Sequence, residues 1–123
     1  MALHESAEMY LETIYVLSLQ KSTVRSVDVA EALGYSKPSV SRAVGLLKQG
    51  GYLTADEDGF LILTPSGVEI GKKIYERHTL LENFLTSLGV TPQVAEDDAC
   101  KMEHVISDES FRAIQKFVNK QSE

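Results

Sequence analysis

The sequence predicts a mainly α fold, a winged helix-turn-helix module followed by a helical domain, and three observations carry that expectation. Apolar residues recur at helical spacing through most of the chain. Two short helical segments meet across Gly34. Directly after the second of them, apolar runs flank Asp56-Glu57-Asp58-Gly59, the signature of an Asp-Gly hairpin. At 123 residues, 43% of them hydrophobic, the chain can bury one domain core or two small ones sharing an interface. The expected division is 1–64 for the winged module and 65–123 for the helical one.

The first helix is expected over about Glu5 to Leu19, with Tyr10, Ile14 and Leu17 at i, i+4 and i+7. The second begins near Ser26, a suitable N-cap, and stops at Gly34. Ser36 caps the third, and Pro38 suits its first turn; Val40, Ala43, Val44 and Leu47 face inward. Tyr52–Ala55 and Phe60–Thr64 then form the hairpin that makes the wing. Thr64-Pro65 restarts a long helix reaching about Leu88, Pro92 opens the next, and Ser107 caps the last. That last helix carries Phe111, Ile114, Phe117 and Val118 as an apolar stripe. Few other aliphatics are available to cover it, so a homodimer through the C-terminal helices is expected.

Charge is unevenly placed along a chain of net charge -6. Lys21, Arg25, Lys37, Arg42 and Lys48 face only Asp28 and Glu31, whereas Glu96, Asp97, Asp98, Glu103, Asp108 and Glu109 face only Lys101. One end suits phosphate and the other suits a cation. The candidate DNA-facing residues are Arg25, Ser26, Ser36, Lys37, Pro38, Ser39, Ser41, Arg42 and Lys48. Small hydroxyls at the start of a recognition helix admit close backbone approach, and Arg42 can reach a base edge or a phosphate. The acids at the hairpin tip disfavour phosphate contact there.

The single cysteine excludes an internal disulfide and suits a reducing compartment. No stretch is apolar enough to span a membrane, and Met1–Glu8 has neither the basic segment nor the apolar run of a signal peptide. The expected location is cytoplasmic.

Cys100, Glu103 and His104 stand at i, i+3 and i+4, so a helix projects thiol, carboxylate and imidazole from one face. Glu96 extends that side by one turn. Met9 with Glu12, and His78 with Glu82, are further pairs at helical spacing. Taken singly, each also reads as a core residue beside a solvated one. Together they suggest a cation site built from helix faces. A regulator answering a small organic ligand remains an alternative in which the Cys-Glu-His cluster is incidental. A metalloenzyme would need an open coordination position and a substrate cleft, for which this short helical chain offers little.

Over nearly its whole length the sequence resembles the diphtheria toxin repressor and manganese transport regulator family. The resemblance rests on Glu8-Met9-Tyr10-Leu11 with Thr13-Ile14-Tyr15, Asp28-Val29-Ala30 with Leu33, and Leu63-Thr64-Pro65-Ser66-Gly67. It extends through Arg77-His78 with Leu80-Leu81-Glu82 and the run from Cys100 to Glu109. It implies a homodimeric repressor that binds palindromic double-stranded operators when loaded with Fe(II) or Mn(II), controls metal-uptake genes and has no small-molecule substrate. By the resemblance, Met9, Cys100, Glu103 and His104 match the primary metal site of the iron-responsive branch, and His78 and Glu82 its ancillary site.

Two positions depart from that branch. Glu96 stands where its ancillary site has a histidine, and Glu12 stands where it has a basic residue, as in the manganese branch. The manganese branch in turn has carboxylates where this chain has Met9 and Cys100. The chain ends where many relatives continue into an SH3-like domain, so a second site is expected to be completed by Glu12, Glu96 or water. Thioether and thiolate are softer than carboxylate, so Fe(II) is the expected corepressor, Mn(II) the alternative, and other divalent metals are expected to substitute in vitro.

Overall fold

Among residues 5–121, which the computed structural model describes, the element order is α1 (Glu5–Gln20), α2 (Ser26–Leu33), α3 (Lys37–Gln49), β1 (Leu53–Ala55), β2 (Leu61–Leu63), α4 (Pro65–Ser87), α5 (Pro92–Val105) and α6 (Asp108–Gln121). The mainly α, winged helix-turn-helix class is the one adopted. The reading of Met1–His4 as free of a targeting signal lies outside this range. Among the described residues no helix is long and apolar enough to cross a membrane. The chain forms two compact units, Met1–Lys73 and Ile74–Glu123.

In the first unit, α1 presents Tyr10, Leu11 and Ile14 to Val29 and Ala30 of α2 and to Val40, Val44 and Leu47 of α3. Leu11, Val29 and Val40 are fully buried. Each such aliphatic stabilises the unit by roughly 1.5–3 kcal/mol relative to exposure. Gly34 ends α2 in the left-handed conformation at φ 70°, with its N–H donating to the Ala30 carbonyl at 2.8 Å. That conformation turns the chain sharply enough for α3 to start within three residues. Ser36 caps α3 as expected: its hydroxyl oxygen accepts the Ser39 N–H at 3.3 Å.

The start of α2 differs from expectation. Ser26 is the first helical residue, and Arg25 holds the capping position. The reason is Asp28, whose carboxylate reaches back from the first turn to accept the Arg25 N–H at 2.9 Å and so fixes Arg25 as the residue before the helix. The hydrogen bond from Lys21 Nζ, and then that N–H, hold the Asp28 carboxyl below the usual carboxylate range.

The hairpin pairs β1 and β2 antiparallel, with Leu53 opposite Leu63 and Ala55 opposite Leu61. Asp56 builds the turn: its carboxylate accepts the N–H groups of Asp58 and Phe60 at 3.0 and 2.9 Å. Leu61 also donates its N–H to the Val24 carbonyl at 2.7 Å, tying the wing to the segment before α2. Thr64 caps α4 as expected, its hydroxyl oxygen accepting the Gly67 N–H at 3.2 Å.

In the second unit, Ile74 and Leu81 of α4 and Ala95 and Ala99 of α5 are buried. Alanine at i and i+4 lets α5 pack closely through a narrow face. Ser107 caps α6 as expected, accepting the Ser110 N–H at 3.1 Å. No residue of α6 is fully buried: Phe111, Ile114 and Val118 are half-buried, Phe117 is 51% exposed, and its ring meets Phe84 edge-on at 6.2 Å.

Gly67 and Gly71, one turn apart on α4, mark a close approach within the first unit. A Cβ at Gly67 would lie 2.1 Å from the Tyr52 carbonyl oxygen, and one at Gly71 would lie 2.7 Å from that of Leu11. Alanine is favoured over glycine in a helix by about 1 kcal/mol. A clash with backbone that cannot rotate away costs typically about 1–3 kcal/mol, so the clash wins. Gly67→Ala is therefore expected to lower the urea midpoint of unfolding, whereas a gain in stability would mean that α4 packs more loosely on Tyr52 than described.

Candidate metal centre and nucleic-acid interface

The small-residue face of α5 continues into a carboxylate. Ala95, Ala99 and Glu103 follow one another at four-residue intervals, and all three are 0% exposed. A charge held there must be compensated, because removing an ion from water costs several kcal/mol. Two histidines approach it. His78 Nδ1 lies 2.7 Å from Glu103 Oε2, and His104 Nε2 lies 3.3 Å from Glu103 Oε1. The far side of the His78 ring meets a second carboxylate, with Nε2 at 3.0 Å from Glu82 Oε2.

The structure thus joins Glu82, His78, Glu103 and His104 into one continuous cluster within the second unit. The resemblance separates these residues into an ancillary and a primary site; His78 faces both. Its two ring nitrogens point in opposite directions, so one imidazole spans the gap between α4 and α5. A neutral imidazole has one N–H and one lone pair, and carboxylates only accept. With both nitrogens facing carboxylates, one contact sets lone pair against lone pair unless the ring carries a second proton or a cation takes its place. Carboxylate and imidazole, largely shielded from solvent, are donor types that a divalent first-row metal takes, and Glu103 and His104 place such donor atoms within 4.8 Å of each other. The residues fit a metal ion.

The other expected ligands are placed less closely. Cys100 is half-buried on α5, one turn before Glu103. Glu96 is exposed: its neighbour Ala95 takes the inward position on that turn and directs Glu96 to solvent. It is not among the residues brought together here. Met9 and Glu12 are half-buried, three residues apart on α1, in the first unit.

One buried residue entered the sequence reading only as part of the resemblance, with no role assigned. Arg77, 6% exposed, donates to the carbonyl oxygens of Glu103 and Ile106 at 3.1 and 2.9 Å, pairs with the Asp108 carboxylate, and lies over the Phe111 ring at 5.4 Å. The available signal was a cation inside an apolar stripe, since Arg77 falls between Ile74 and Leu81 at i+3 and i−4.

On the first unit, Lys37, Pro38, Ser39, Ser41, Arg42 and Lys48 are all exposed on α3. Ser36 is committed to its cap, and its hydroxyl also meets that of Ser39 at 2.9 Å. Ser26 is half-buried at the start of α2. Arg25 is exposed, with its guanidinium 5.0 Å over the Phe60 ring, which places a cation beside the wing. Leu46, four residues after Arg42, is 64% exposed on the same helix. The wing tip, Asp56–Gly59, is exposed and acidic.

Comparison with known proteins agrees with both halves of this description. Residues 2–61 match the family model described as iron dependent repressor, N-terminal DNA binding domain. Residues 64–123 match that described as iron dependent repressor, metal binding and dimerisation domain. The HTH-type transcriptional regulator MntR of Bacillus pumilus (strain SAFR-032) is 41% identical over 109 residues, 89% of this chain and 76% of that protein. The transcriptional regulator MntR of Salmonella typhimurium is 36% identical over 92% of this chain and 72% of its own length.

Among solved structures, the manganese regulator SloR superposes with a TM-score of 0.82 at 30% identity, covering 97% of this chain. A manganese-dependent transcriptional repressor in complex with manganese superposes at 0.83 with 29% identity over 92% of the chain. The chain spans about half the length of these two solved proteins, 55% and 52%. With both family models matched end to end along the sequence, the chain belongs to the iron dependent repressor family of metal-dependent transcriptional regulators.

Proposed function

We propose that this protein is a metal-activated transcriptional repressor that binds a palindromic operator as a homodimer and controls metal-uptake or homeostasis genes. The observation that carries the proposal is the buried Glu103 carboxylate held between His78 and His104, in the same chain as a winged helix-turn-helix with an exposed basic recognition helix. In this reading, residues 1–64 bind DNA and residues 65–123 bind metal and dimerise. The half-exposed apolar stripe of α6 is the dimer surface.

His78, Glu82, Glu103 and His104 hold the metal, with Met9, Glu12 and Cys100 as further ligands. When bound, the ion would supply positive charge beside the two carboxylates. Glu103 orients both imidazoles, and the closely packed alanine face of α5 limits water around them. On α3, Ser39, Ser41 and Arg42 face the bases and Lys37 and Lys48 the phosphates, while Arg25 reaches the backbone from beside the wing.

For metal identity, the soft donors Met9 and Cys100 favour Fe(II) as the corepressor. Mn(II) is the second reading, favoured by the solved relatives described as manganese regulators and by the all-nitrogen-and-oxygen character of the Glu82–His78–Glu103–His104 cluster.

Operator binding by chelated protein, titrated anaerobically with Fe(II) and separately with Mn(II), tests the function. Binding that ignores both metals would refute it and favour a small organic effector. His104→Ala is expected to abolish metal-dependent operator binding while far-UV circular dichroism keeps its helical signal. Arg42→Ala should weaken operator binding by about 1–3 kcal/mol with metal affinity intact, and the reverse pattern would overturn this division of labour. Replacing Met9 by Asp and Cys100 by Glu together should move the half-maximal response toward Mn(II). An unchanged preference would remove both residues from the ligand set.

A further inference from the structure

Arg77 and His78 are neighbours on α4, and both act on Glu103. His78 meets the Glu103 carboxylate at 2.7 Å, while the Arg77 guanidinium binds the same residue's carbonyl oxygen at 3.1 Å and that of Ile106 at 2.9 Å. Glu103 is thereby held at both its side chain and its main chain by one dipeptide. The two carbonyls bracket His104, so the last turn of α5, which carries both Glu103 and His104, is clamped from below.

Arg77 also reaches the next helix. Its second terminal nitrogen pairs with Asp108 in the first turn of α6, and its guanidinium carbon lies 5.4 Å from the ring centroid of Phe111, one turn later. A planar guanidinium fork suits this position, because it has donors for two carbonyls and a carboxylate at once. A buried cation in a three-helix core is costly unless every contact counts, and only 8% of this side chain is exposed.

We propose that Arg77 is a positioning residue that presets Glu103 and His104 for a divalent cation and fixes the α5–α6 turn in the same act. The inference rests on the reading of the Glu82–His78–Glu103–His104 cluster as a metal site. Arg77 does not touch the ion. It acts through the backbone of the ligand turn, as outer hydrogen-bonding partners of metal ligands do, and loss of such partners typically weakens metal affinity about 10–100-fold.

The test uses the full chain, first stripped with a chelator, and Mn(II) alone as the probe, followed by the electron paramagnetic resonance signal of the free ion. Arg77→Met keeps an unbranched apolar stem beneath Phe111 and is expected to bind Mn(II) about 10–100-fold more weakly with helix content unchanged. Arg77→Lys keeps the charge but lacks the fork, and should fall between the two. A second readout is the rise in unfolding temperature on adding Mn(II), which grows with the ratio of metal concentration to Kd. A purely structural role for Arg77 would lower the metal-free unfolding temperature and leave that rise unchanged; the positioning role shrinks it.

Equal Mn(II) affinity in the unaltered protein and in both variants overturns the inference while the metal site stands. If Arg77→Met does not fold, Arg77→Lys decides: weakened binding supports the inference and undiminished binding overturns it. If the unaltered chain takes up no Mn(II), and no Fe(II) under anaerobic conditions, the metal reading fails and this inference with it.

Discussion

Burial of the Glu103 carboxylate governs the second unit. On α5 it occupies the position where the repeat set by Ala95 and Ala99 would place another small apolar residue, and it is as deeply shielded as they are. A carboxylate in that place dictates what surrounds it. His78 meets one of its oxygens at 2.7 Å, His104 lies 3.3 Å from the other, and Arg77 donates to its main-chain carbonyl. The α4–α5–α6 packing is arranged around one charge that a purely stability-driven core would lack.

The first unit follows a different logic. Its core is aliphatic, and its polar groups serve to end and start helices: Gly34 turns the chain, Ser36 opens α3, and Asp28 replaces Ser26 as the group that closes the start of α2. Because these devices act within a few residues, α3 is held as a rigid element whose outward face is free to differ from its inward one. The inward face is fixed by Val40, Val44 and Leu47, and the outward face carries the hydroxyls and cations suited to a nucleic acid.

Local chemistry was legible in the sequence and long-range chemistry was not. The caps at Ser36, Thr64 and Ser107, the turn at Asp56–Gly59 and the His78–Glu82 pair all act over two to four residues, and spacing alone located them. The cap before α2 was misplaced by one residue, because Asp28 competes with Ser26 from inside the helix. The contact between His78 and Glu103 joins positions 25 apart, and only the packing of α4 on α5 creates it. The role of Arg77, which the sequence showed only as part of the resemblance, went unread for the same reason: its partners are at 103, 106 and 108. Glu96 shared a side with Cys100 and Glu103 by arithmetic, yet the narrow alanine face at Ala95 and Ala99 leaves it in solvent.

The acidic wing has a consequence for how such a protein finds its target. Asp56 spends its carboxylate on the hairpin turn, but Glu57 and Asp58 remain exposed at the tip, and phosphate repels them wherever along a duplex the protein arrives. Non-specific affinity comes almost entirely from phosphate neutralisation and the counterions it releases. A wing that adds no cations and places negative charge at the surface keeps that contribution small. On a duplex, phosphate neutralisation would then fall to the exposed cations Lys37, Arg42 and Lys48 of α3 and to Arg25 beside the wing.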